Sequence, residues 1–425
     1  MGYNSGMSTD AHGMTTQASL ERHLGSEGLS SPTLLLIAIC ALVYFLDGLI
    51  HSVLGPLAPE IARSLRISNA ELGPIFSANL VGQCLGLIVF PVLAGRAGHR
   101  GVVLTALVGF GLAQSGTALS SGPTSLFVWR LITGVFLGGC LPSCLALVTA
   151  AAPDKRRGLA IMMLFTGYGL GATVAGLVDA GFTELGGWRM ATVAVGAICL
   201  IAAIFAWISL RESPAPIASD REVSRNALLI FSPRYLVGTL MLWLLFICML
   251  TISYCLNSWL PTLLVDVGRD ARLAAISVSI FSFGGIVAAL GVGLLIDRWG
   301  AVRTLVSFLT LSTALLFIVG RLMASASTAV LLVLLAVCGF FVLGAYGGVN
   351  VVLASFYPAH LRAAGIGWTK SVGRIGTLLA PVSIGAGLSA GMRETTLMSM
   401  FAVPALLAVV SLVVIATINR SSRLR

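Results

Sequence analysis

The chain has 425 residues, of which 57% are hydrophobic and only 10% charged, and its mean hydropathy is +0.98. Soluble domains carry about 25% charged residues, so the composition excludes a soluble globular protein and indicates a chain that crosses a membrane repeatedly. A net charge of +10 would suggest nucleic acid in a soluble protein. Here the distribution of Lys and Arg between loops accounts for it, and no nucleic-acid partner is expected.

The apolar stretches are long and do not alternate, which selects helices over a membrane barrel. Residues 1–32 are polar, with Asp10, Arg22 and Glu27, lack the apolar stretch of a signal peptide, and read as a cytosolic tail. A helical span needs about 20 mostly apolar residues. On that basis spans are expected at 33–54, 72–94, 101–120, 124–150, 158–182, 188–209, 235–258, 271–296, 301–322, 328–354, 363–390 and 394–417. Counted over these spans, 16 Lys and Arg fall on the side of the two termini and 7 on the other. The positive-inside rule then puts both termini in the cytosol. The polar, Pro-containing stretch 210–234 divides the chain into two six-helix halves, 33–209 and 235–417, with a short tail at 418–425. The expected fold is therefore all-α and polytopic, with twelve transmembrane helices in two pseudo-symmetric halves.

Few charges fall inside the spans, and each needs a reason. Asp47 sits in "VYFLDGLIHSVLGPLAP" (43–59), after the apolar run 34–46. A carboxylate charged at mid-bilayer costs about 2.5–3.5 kcal/mol on insertion scales, so Asp47 must face protein. It either binds a proton that couples to transport or serves as a structural partner. Arg130 lies a few residues into span 4; it could pair with Asp47, with a substrate carboxylate or with backbone carbonyls, or snorkel outward. Lys370 and Arg374 are one turn apart on one face of span 11. A guanidinium flanked by Gly373 suits bidentate binding of a carboxylate, whereas Lys370, nearer the cytosolic end, could simply snorkel. One acid against three bases leaves the spans net positive once Asp47 is protonated. That argues for an anionic substrate.

Weaker candidates follow from helical spacing. Tyr346 and Asn350 share a face of span 10 and could bond a ring hydroxyl, as could Asn79 and Gln83 on span 2. Trp368 or Tyr254 could stack on a ring. Asn257 and Trp259 sit at the expected end of span 7. His51, one turn after Asp47 and close to the expected end of span 1, reads as a structural histidine, with a proton relay as the alternative. Asp179 reads as solvated. Gly134, Gly138, Gly167, Gly171 and Gly176 read as close-packing positions. The eight cysteines all lie in apolar stretches without metal-ligand spacing and read as packing residues. There is no GxxxxGK[ST] loop and no nucleophile–base pair, so neither an ATP-driven pump nor an enzyme is expected, and no cofactor.

Two loops repeat: "PVLAGRAGHR" (91–100) follows span 2, and "GLLIDRWGAVR" (293–303) follows span 8. Together with "RLITGVFLGG" (130–139), "GYGLGATVAG" (167–176) and "LRESP" (210–214), these resemble the signatures of the major facilitator superfamily. "LDGLIHSVLGPLAPEI", "LGPIFSANLVGQCLG", "NSWLPTLLVDVG" and "YPAHLRAAGIGWTKSVGRIGTLLAP" resemble its aromatic acid:proton symporter family. That resemblance implies proton-coupled import of aromatic carboxylates across the bacterial inner membrane by a monomer working through alternating access. It implies a coupling role for Asp47 and Arg130, and conformational roles for Gly95, Arg96, Asp297 and Arg298 in the paired loops. In two places the chain departs from the family pattern: Ile50 stands where the family has a second acid, and Gly95 where it has Asp. Carriage of another organic anion, such as a sugar acid or dicarboxylate, and export by antiport are the competing readings.

Overall fold

The structure, a computed structural model, describes residues 30–153, 156–182, 186–210 and 227–423. Nearly all of the expected N-terminal tail, most of the 210–234 linker and the last two residues lie outside that range. Among the described residues, twelve helices are long and apolar enough to cross a membrane. They are α1 (Ser31–Leu65), α2 (Asn69–Phe90), α3 (Ala97–Leu119), α4 (Pro123–Ala151), α5 (Arg157–Phe182) and α6 (Gly187–Ser209) in the first half. The second half has α7 (Leu236–Asp266), α8 (Ala271–Trp299), α9 (Ala301–Leu322), α10 (Thr328–Phe356), α11 (Ala359–Ser389) and α12 (Glu394–Ile418).

Helix starts are set by local chemistry. Ser30 caps α1, with Oγ accepting from Thr33 N at 3.4 Å, and Ser68 N donates to Glu71 Oε2 at 2.8 Å in a capping box on α2. No loop separates α2 from α3; the chain turns at Gly98, whose φ of 70° suits a residue without Cβ. Arginines at the far ends of the bundle cap helix C-termini. Arg189 donates to the carbonyls of Ala118 and Ser120 at the end of α3, and Arg269 to those of Met323 and Ala326 after α9. α3 and α9 hold equivalent places in the two halves, so two of the arginines on the less basic side are committed to the same structural task.

The halves repeat one packing scheme. α1 packs on α5, α2 on α4 and α3 on α6; α7 packs on α11, α8 on α10 and α9 on α12. In lipid the backbones must approach closely for dispersion to hold helices together, which small residues allow. A methyl group at Gly134 or Gly138 would run into the backbone of α2 at Asn79 or Gln83. At Gly167 or Gly171 it would strike α1 at Ala41 or Phe45, and at Gly176 it would strike Ala275 of α8.

The halves meet through α1 and α7, α2 and α11, and α5 and α8. Their close contacts gather at the ends away from the termini. Gly55 abuts Asn257, Gly73 abuts Pro381, Gly385 abuts Asn69, Ser77 Oγ donates to the Leu378 carbonyl at 2.7 Å, and Phe76 packs edge-on against buried Trp259.

Two helices outrun the expected spans. α1 continues through Pro56 and Pro59 to Leu65, and α7 through Pro261 to Asp266. Proline is tolerated inside a membrane helix because neighbouring groups satisfy the carbonyl it frees one turn earlier.

Candidate functional site

The site is built first from α1. Tyr44, Asp47 and His51 recur at helical spacing and share one face. Gly167 and Gly171 press α5 onto α1, which sets Tyr168 beside Tyr44 with ring centroids 5.3 Å apart. From the other half, Tyr254 of α7 meets the His51 ring edge-on at 4.8 Å and lies within electrostatic reach of Tyr168. Tyr346 of α10 and Arg374 of α11 lie within electrostatic reach of the same group. The result is a mid-bundle cluster of one carboxyl, one imidazole, one guanidinium and four tyrosines, drawn from five helices of both halves. His51, Tyr168, Tyr254, Tyr346 and Arg374 remain half-buried although each sits mid-helix, so the cluster borders an accessible space between the halves.

Asp47 is 7% exposed, and its Oδ1 has no hydrogen-bond partner. Arg374 acts on it through space. Arg374 itself has little to hold: its Nη1 lies 4.0 Å from Cys84 Sγ, a weak acceptor. Most of its five donors are therefore available to a ligand.

Arg130 is different. It is 1% exposed, its Nη1 donates to Gln114 Oε1 at 3.0 Å and its Nη2 to the Ile50 carbonyl at 3.2 Å. Of the partners open to it from sequence, the structure gives it a backbone carbonyl, which ties α4 to α1 one turn beyond Asp47; Gln114 is a partner the sequence did not offer. Lys370 is exposed on α11, one turn from Arg374 toward the termini.

Other expectations fare unevenly. Asn350 spends its amide on its own helix, donating to the carbonyls of Tyr346 and Gly347 at 3.0 and 3.2 Å. Trp368 stands apart from the cluster: it stacks on Trp243 at 6.1 Å and meets Phe231 edge-on at 5.6 Å. Asp297 and Arg298 are exposed where α8 ends before Gly300. Their counterparts Gly95 and Arg96 lie on the α2–α3 turn, where the backbone is described but the side chains are not. Seven of the eight free cysteines are buried; the exception, Cys84, is half-buried beside Arg374. Asp179, expected to be solvated, is buried at 6% exposure within electrostatic reach of Glu60, because α5 ends against α1 and α8.

Tyr44 and Tyr168 were not singled out from sequence. The signal for Tyr168 was present in its flanking glycines, which mark where α5 touches α1. An expected helix end at 54 places His51 near the terminus of span 1. With α1 running to Leu65, His51 lies near its middle, and its Nδ1 is 3.3 Å from both Asn79 Nδ2 and Gln83 Nε2.

A sequence model of the Major Facilitator Superfamily matches residues 40–381 and 242–423. The chain belongs to this superfamily. It is therefore a multi-pass membrane transporter, not an enzyme. Among its relatives are a 4-hydroxybenzoate transporter, PcaK, of Pseudomonas putida, 31% identical over 89% of this chain and 91% of the relative. A gallate transporter of the same organism is 30% identical over 92% of each chain, and a 3-(3-hydroxy-phenyl)propionate transporter of Escherichia coli K12 is 31% identical over 93% of this chain and 96% of its own. The fold matches a D-xylose-proton symporter with a TM-score of 0.73 at 14% identity, covering 89% of this chain and 97% of that one. It also matches an inward-facing, occupied bacterial homologue of the human lysosomal transporter Spinster, with a TM-score of 0.72 at 18% identity over 93% and 98%. At these identities the solved structures speak to fold alone.

Proposed function

We propose that the protein imports aromatic carboxylates together with protons across the bacterial inner membrane by alternating access. The observation that carries this reading is the placement of Asp47 and Arg374. A buried carboxyl with an unpartnered oxygen in one half and a guanidinium with spare donors in the other lie within electrostatic reach of each other, among four tyrosines. A guanidinium fork binds a carboxylate bidentately, and the tyrosines offer ring faces and edges to an aromatic body. Asp47 takes the coupling proton when the substrate anion is near Arg374, and releases it once access switches. The relatives that carry 4-hydroxybenzoate, gallate and a hydroxyphenylpropionate support this substrate class.

Arg130 supports coupling indirectly, by fixing α1 at Ile50. Lys370, on the terminus side of Arg374, draws the anion along α11. The excess of Lys and Arg on the terminus side supports cytosolic termini. With that orientation, the contacts gathered at the far ends describe a cavity closed to the outside and open to the cytosol. The paired loops, with Arg96 in one and Asp297 and Arg298 in the other, then lie on the side that must close for the outward state. The chain works as a monomer, each half moving as one body against the other.

The test is uptake of a labelled aromatic-acid panel into proteoliposomes, with and without an inside-alkaline gradient, against protein-free vesicles. Accumulation that needs the gradient and collapses with a protonophore is expected. Uptake no greater than passive entry for every member would overturn the reading and favour another organic anion or export.

A further inference from the structure

Beyond Arg374 and Asp47, the cluster contains a polar group whose hydrogen bonding is incomplete. Asn79 of α2 is 2% exposed. Its Nδ2 lies 3.3 Å from His51 Nδ1, Gln83 Nε2 lies 3.3 Å from the same nitrogen, and Asn79 Oδ1 has no partner. A single imidazole nitrogen has one lone pair or one proton to offer, so two amides compete for it. Turning the Asn79 amide over would not help: Nδ2 would then be the unpaired atom. In either orientation a buried carboxamide is left with an unmet bond, which native interiors seldom tolerate without a reason.

We propose that His51, Asn79 and Gln83 form a subsite for a ring hydroxyl of the transported acid, with the free edge of Asn79 as its main partner. This rests on the aromatic-carboxylate reading and narrows it to hydroxylated aromatic acids. A phenolic hydroxyl both donates and accepts, so it satisfies Asn79 in either orientation and can take the surplus amide of Gln83. The location fits. Arg374 lies within electrostatic reach of His51, the ring both amides contact, and 4.0 Å from Sγ of Cys84, one residue beyond Gln83. His51 carries Tyr254 edge-on at 4.8 Å and Tyr168 at 6.1 Å. An acid with its carboxylate on Arg374 would thus lay its ring along the tyrosines and present its hydroxyl to the amides. A site built to bond a hydroxyl rejects the analogue lacking it, because its buried groups are then left unpaired.

The experiment measures uptake of 4-hydroxybenzoate, 3-hydroxybenzoate and benzoate in proteoliposomes, for the wild type and for Asn79→Leu and Asn79→Ser. The wild type is expected to favour a hydroxylated acid over benzoate by about tenfold or more. Asn79→Leu is expected to bring that ratio close to one, chiefly by losing the hydroxylated acid. Asn79→Ser, which keeps a small donor and acceptor, is expected to hold an intermediate ratio and serves should the leucine variant fail to fold. Equal wild-type uptake of benzoate and both hydroxybenzoates would overturn the subsite alone, as would an unchanged ratio in both variants. Uptake of none of the three above protein-free vesicles would overturn the aromatic-acid reading and the subsite with it.

Discussion

The α1–α5 pair of the first half and the α7–α11 pair of the second are the same construction carrying different chemistry. In the first, Gly167 and Gly171 seat α5 on α1, and Tyr168 stands between them. In the second, Gly373 and Gly376 seat α11 on α7 at Phe246 and Ile247, and Arg374 stands between them. The frame is duplicated, yet one copy presents a phenol and the other a guanidinium. The partner helices differ as well: α1 brings Asp47, whereas α7 meets the Gly373–Gly376 stretch with Phe246, Ile247, Leu250 and Thr251 and supplies Tyr254 in place of an acid. The acid thus belongs to one half and the free base to the other. Any movement of the halves changes the distance between Asp47 and Arg374, which is what a coupled carrier requires. Arg130, also inside the spans, does not enter this opposition, since Gln114 and Ile50 in its own half already hold it.

That opposition can be broken from either side. The largest effect is expected from Asp47→Asn, which keeps the shape and removes the titratable group. Gradient-driven accumulation should disappear while exchange of labelled for unlabelled substrate persists. Normal concentrative uptake by this variant would remove Asp47 from coupling. Next comes Arg374→Ala, for which ligand affinity should fall about 100-fold, the weight of a charge-assisted bidentate contact of about 2.7 kcal/mol. Arg374→Lys, keeping charge without the fork, should recover only part of it. Titration calorimetry on the purified protein reads both, and unchanged affinity in the alanine variant would dismiss the carboxylate clamp. Arg130→Met sharpens the contrast between the two arginines. It leaves Gln114 Oε1 buried without its donor, at about 1–3 kcal/mol, and removes the second bond on the Ile50 carbonyl. The expected result is a lower melting temperature in detergent, with ligand affinity within about threefold. A changed proton-to-substrate ratio without lost stability would instead give Arg130 a direct part in coupling.

How far the sequence reaches is plain from α1 and α7. Both were expected to stop before their prolines, and both run on, to Leu65 and Asp266. Local propensity treats proline as a stop, while tertiary contacts in the bundle satisfy what proline frees. The same misjudgement at two symmetry-related places hid the same thing twice. A helix end at the prolines would put His51 and Asn257 at the periphery, whereas both belong to the interior, where α1 and α7 cross at Gly55 and Asn257. By contrast Asp47 and Arg374 were legible, because a charge inside an apolar span has so few explanations. The packing glycines were legible for a similar reason, their spacing marking helix contacts directly. Asn350 and Trp368 were not, since period and composition place a side chain on a helix without saying which neighbour faces it.

Trp368 makes the sharpest test of that last point, precisely because the expected effect is small. Its spacing from Arg374 along α11 is six residues, which at 100° per residue turns it well away from the face of Lys370 and Arg374. It is 43% exposed and occupied by Trp243 and Phe231 near the start of α7. An aromatic in that position anchors the helix at the membrane interface and offers no face to a molecule held by Arg374. Trp368→Ala should therefore leave substrate affinity within about twofold, with a modest loss of thermal stability from the broken stack of about 0.5–1.5 kcal/mol. A tenfold loss of affinity at normal stability would mean that the ring lies on the substrate's path, and that α11 turns about its axis during transport and does not move only as part of its half.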